Sequence, residues 1–128
     1  MGYDFIFMPM PYSGNSDFPI KYSEVAKANQ AEKVVPWPAF KDWLCTQGGR
    51  RNGENSICVS YEEQSTINFA GSSSSIFLDT HARWKHVFEA FRILESLEQD
   101  VCIFDCQDGT YHDEQSFREF MKSNGQKP

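Results

Sequence analysis

Residues 84–104 read WKHVFEAFRILESLEQDVCIF, and their pattern decides the fold. Trp84, Val87, Phe88, Phe91 and Leu94 recur at helical spacing, and Ala90, Ile93 and Leu97 widen the same apolar stripe. The stripe stops near Gln99-Asp100. Four apolar residues follow at once, from Val101 to Phe104, which is the signature of a buried strand. A helix with one broad apolar face followed by a buried strand predicts a helix lying across a sheet.

Working toward the N-terminus, residues 56–61 and 65–70 alternate, with Ile57, Val59 and Tyr61 on one side and Ile67 and Phe69 in the next segment. Glu62-Glu63-Gln64 reads as the turn between them. Residues 76–78 make a third short strand, so the three form an antiparallel meander. Asp79 or Thr80 is the expected cap of the long helix. The opening run, residues 3–8, is apolar and short, a further buried strand. Pro9, Pro11, Gly14 and Pro19 then predict an irregular loop over 9–20, with a short helix from Ser23 to about Asn29. Trp37, Phe40, Trp43 and Leu44 predict a helix that starts around Pro36-Trp37-Pro38 and is ended by Gly48-Gly49. Residues 48–55 read as a polar loop.

Toward the C-terminus, Asp108-Gly109 is a turn signal and residues 111–112 form a brief strand. Asp113 caps a last helix carrying Phe117, Phe120 and Met121, and residues 123–128 should fray. The sequence thus predicts one α+β domain over 1–128, a mixed but mostly antiparallel sheet with helices on one face.

Composition narrows the function. Among 128 residues, 40% are hydrophobic and 15% aromatic, enough for a core without disulfides. The four cysteines, Cys45, Cys58, Cys102 and Cys106, therefore read as free thiols. No run is long enough to span a bilayer, and residues 1–10 lack the basic start of a signal peptide, so a cytoplasmic location and no membrane partner are expected. The net charge of −6 repels phosphate backbones, which argues against nucleic acid and for a basic protein partner. The residues specify no oligomeric state.

No catalytic, cofactor or metal motif stands out. Cys102 and Cys106 with His112 have spacing a zinc site allows, but a second ligand pair is missing. A Cys106–His112 nucleophile assisted by Asp105 is the enzymatic alternative. Asp105 and Asp108 beside the thiol would raise its pKa and oppose it. His81 and His86 are five apart and so share no helix face. The acidic charge is uneven: nine acids lie between Glu89 and Glu119, opposed by Arg92 and Arg118 alone. Asp105, Asp108, Asp113 and Glu114 are the candidate partner-binding residues, with Glu62 and Glu63 as a second group. Asp113 and Glu114 also suit a helix N-terminus on dipole grounds.

The segment Val101-Cys-Ile-Phe-Asp105-Cys-Gln-Asp-Gly109, preceded by Trp84, Val87, Phe88, Leu94 and Leu97 and followed by Tyr111, Asp113 and Phe117, carries a resemblance. Over residues 76–121 the chain resembles immunity proteins of bacterial polymorphic toxin and contact-dependent growth inhibition systems, with Cys106 where their turn has Pro. The resemblance implies a non-enzymatic inhibitor that binds one cognate toxin domain, often a nuclease, and a role as a mobile-element interaction protein is a further alternative.

Overall fold

The computed structural model describes residues 2–10, 18–24, 34–62 and 64–126. Its strands are β1 (Tyr3–Pro9), β2 (Ile20–Lys21), β3 (Arg50–Arg51), β4 (Ser56–Ser60), β5 (Thr66–Gly71), β6 (Ile76–His81), β7 (Val101–Asp105) and β8 (Thr110–His112). Its helices are α1 (Trp37–Thr46), α2 (Trp84–Leu97) and α3 (Glu114–Ser123). All eight strands form one sheet in the order β2-β8-β7-β1-β6-β5-β4-β3, and every neighbouring pair is antiparallel. The architecture is α+β.

The mixed character expected from sequence enters only indirectly. β6 and β7 flank β1, each antiparallel to it, so they run parallel to one another without pairing. Parallel strands need a crossover connection, and α2 is that crossover.

Alternation decides which face is covered. In β6 the odd step is exposed and the even step buried, with Ile76, Leu78 and Thr80 inward. The same side collects Phe5, Phe7, Ile57, Val59, Ile67, Phe69, Val101 and Ile103, all packed with the apolar stripes of the three helices. The two phenylalanines of β1 touch every helix. Phe5 meets Trp84 of α2 and Phe117 of α3 edge-on at 5.4 Å each, and Phe7 meets Phe40 of α1 and Phe91 of α2 at 6.2 and 5.6 Å. A smaller cluster on the opposite face joins Ile20, Cys102 and Tyr111.

Several expectations are corrected. Asp79 and Thr80 do not cap α2. Both belong to β6, and the N-cap is Arg83, which has no capping side chain. The cross-strand pairing of β6 with β1 and β5 runs through residues 79 and 80 and so holds them extended. The polar loop over 48–55 contains β3, which pairs with β4 and adds a final edge strand. Tyr22–Glu24 is a 3-10 turn, and the rest of the helix expected from Ser23 to about Asn29 lies outside the described residues. The loop over 9–20 includes β2, with residues 11–17 outside the described ones. The tail folds back: the Gln126 backbone N–H donates to Met121 O at 2.8 Å.

Gly71 ends β5 directly under the indole of Trp37, where an added Cβ would overlap the ring. Gly71→Ala is therefore expected to lower stability by about 1–3 kcal/mol, the usual range for overpacking. An unshifted midpoint in chemical denaturation would mean that Trp37 has room to move.

Candidate functional site

The acidic residues singled out by sequence separate into three groups with different work to do. Asp105, at the end of β7, is fully buried. One of its oxygens accepts the Tyr3 hydroxyl at 2.7 Å, and the other accepts the backbone N–H groups of Gln107 and Asp108 at 2.9 and 3.0 Å. Its carbonyl accepts Gly109 N–H at 2.8 Å, and Gly109 takes the positive φ of 71° that closes the turn. All of this is turn construction. It also holds the Tyr3 phenol well above its ordinary pKa, through burial first and the neighbouring carboxylate second.

Asp108 is exposed and ends a directed hydrogen-bond chain. Its carboxylate can only accept, so the Thr110 hydroxyl donates to it at 3.0 Å. Thr110 then accepts from His112 Nε2 at 3.1 Å, which fixes the tautomer and leaves Nδ1 as the acceptor for the Ser116 hydroxyl at 3.1 Å. Ser116 in turn accepts the Asp113 N–H, while Asp113 accepts Ser116 N–H at 2.8 Å, completing a capping box on α3. Burial lowers the His112 pKa against the pull of Asp105, Asp108 and Asp113, so the ring is neutral.

Asp113 and Glu114 are brought together with two acids that sequence reasoning had counted but not chosen. Glu95 from α2 and Glu119 from α3 join them in an open cleft, with Met10 on its wall and Arg118 and Lys122 beside it. Glu114 takes Arg92 and Arg118 at 3.5 Å each. Glu95 is half-buried, and its carboxyl is pushed up by burial, by Glu114 and by Asp113, with Arg92 offsetting only part. No local pattern marks Glu95, because its acidic neighbours come from another helix.

Glu62 lies elsewhere, at the start of α2. It faces Arg83 at 3.7 Å, Lys85 at 3.9 Å and His86 at 3.7 Å, ion-pair distances too long for hydrogen bonds. Glu63 lies outside the described residues.

The alternative Cys106, Asp105 and His112 set does not assemble as a nucleophile and base. Both ring nitrogens of His112 are engaged, by Thr110 and Ser116. The Cys106 thiol is pushed up to about 11 by burial, then by Asp4 and Asp105, so at neutral pH it stays protonated. Among the described residues no group of three or more His, Cys, Asp or Glu is placed to hold a metal, and no helix is long and apolar enough to cross a membrane.

Two opposite pH dependences follow. Glu95 holds its proton to higher pH folded than unfolded, so its contribution is intact below the ordinary carboxylate range and is lost as pH rises through the folded value. His112 resists protonation when folded, so its contribution is intact above the ordinary histidine value of 6.5 and is lost as pH falls below it. Glu95→Gln should therefore raise Tm near neutral pH and leave it unchanged in acid. Equal gains at both pH values would contradict the crowding of the carboxylates.

The chain matches no protein-family model, and comparison with curated proteins and with solved structures finds no significant similarity.

Proposed function

We propose that this protein is a non-enzymatic immunity protein that binds a basic toxin domain through the cleft between α2 and α3. One observation carries the proposal. Glu95, Asp113, Glu114 and Glu119 converge on a single concave surface, where burial first and repulsion from Glu114 and Asp113 second disfavour the charged form of Glu95, with Arg92 offsetting only part. A lysine or arginine from a partner would relieve that repulsion on docking, and a nuclease, which needs positive charge to hold phosphates, offers such groups. Glu114 is paired with two arginines and Asp113 with its own helix, which leaves Glu119 as the carboxylate freest to meet a partner, with Glu95 held against Glu114 beside it.

The engaged nitrogens of His112 and the protonated Cys106 give the enzymatic alternative no comparable support.

The test is co-purification with the product of the neighbouring gene, followed by affinity measurement with the double variant Glu95→Lys, Glu119→Lys. A loss of about 2–5 kcal/mol is expected if the pairs are desolvated, together with an association rate that falls with salt. Binding should also release a proton near the pH where Glu95 titrates, as the partner's cation favours its ionised form. Undiminished affinity of the double variant would remove the cleft from the interface.

A further inference from the structure

The opposite end of α2 lacks a capping side chain, as the start of α1 does. α3 begins with a complete capping box. α2, a helix of 14 residues, begins at Arg83 with no capping side chain and no acid in its first turn. The side chain that reaches its leading amide is Gln126, whose Oε1 accepts the Trp84 N–H at a long 3.4 Å. The leading amides thus receive one long side-chain bond, and the Glu62 carboxylate, which faces Arg83, Lys85 and His86, lies near the same end without capping them.

A second, independent feature sits at the same place. Thr80 is only 2% exposed, and its hydroxyl has no hydrogen-bond partner among the described residues. Thr80 lines a cleft where β6 hands over to α2, together with His81, Arg83, Trp84, Tyr3 and Gln126. A valine would fill the same space without stranding a hydroxyl, so the threonine has a cost that packing does not explain. Tyr3 and Trp84 stand edge to face at 4.8 Å and form an aromatic wall. Arg83 supplies positive charge at the mouth, where the His81 ring also stands. Each has an acidic neighbour, Asp79 at 3.2 Å from His81 and Glu62 at 3.7 Å from Arg83, but these pairs are solvent-exposed and readily exchanged.

We infer that this cleft is a binding site for an oxyanion, a phosphate or carboxylate group, held by the leading amides of α2, the Thr80 hydroxyl and the Arg83 guanidinium. The helix end supplies donors already pointed outward, the hydroxyl supplies one more, and the guanidinium matches a planar or tetrahedral oxyanion with paired donors. Glu95 lies 11 residues along α2, about 16 Å at 1.5 Å per residue, so the anion site and the acidic cleft are separate.

The experiment is amide chemical-shift titration of the full chain with inorganic phosphate and, in a second arm, with acetate, both at ionic strength matched by sodium chloride. The amides of Trp84 and Lys85 are expected to shift saturably in at least one arm, and the tighter arm identifies the group. Arg83→Gln, a change at an exposed position, should weaken binding about tenfold, consistent with loss of a charge-assisted contact. Thr80→Val should weaken it severalfold while raising Tm, because the stranded hydroxyl is gone. Shifts that grow linearly in both arms, or saturable binding that both variants leave intact, would overturn the site. Failure of the toxin-binding proposal would not touch these results, since the two readouts report opposite ends of the helix.

Discussion

Phe5 and Phe7 hold the molecule together because β1, first in the chain, lies in the interior of the sheet, between β6 and β7. Their rings point to the covered face and contact side chains from all three helices. Removing either ring would open a cavity beneath two helices at once, at about 3–5 kcal/mol for Phe to Ala in a packed core. The edges are different. β2 and β3 are two residues each, and β3 presents Arg50 and Arg51 to solvent. Short, charged edge strands resist further strand addition. The sheet is therefore strongest at its centre and guarded at its margins.

Regular elements with strong periodicity were legible in the sequence. The stripe from Trp84 to Leu97 gave α2, and the Asp113 cap gave α3 with its capping box. The meander of β4, β5 and β6 followed from alternation at Ile57, Val59, Ile67 and Phe69. What sequence could not supply was long-range pairing. Asp79 and Thr80 look like caps because both types favour that position, yet ladder bonds to β1 and β5 outweigh the local preference. Arg50-Arg51 looks like loop because neither residue favours a strand, and only pairing with β4 makes it one.

The candidate site was half legible for the same reason. A count of acids along the chain locates the excess but not its geometry. Asp105 is spent on turn construction in the interior, a use that its neighbours Gln107 and Gly109 hint at only in retrospect. Asp113 and Glu114 do reach the cleft, where Glu95 and Glu119 complete it from positions whose spacing says nothing of the neighbouring helix. The thiol of Cys106 is raised as expected, but by burial first and then by Asp4 across the sheet and by Asp105, rather than by the flanking pair Asp105 and Asp108.

The interior position of β1 also dictates when the molecule can assemble. Tyr3 and Asp105 are bonded across 102 residues of chain, and both ladders flanking β1 close only after distant segments exist. Contacts of such long sequence separation slow folding, because loop-closure entropy must be overcome before the contacts form. On the ribosome, the apolar strand β1 must wait until both β6 and β7 have been synthesised. Until β7 emerges, one edge of β1 stays unpaired, so a nascent chain stalled before that point would be prone to self-association.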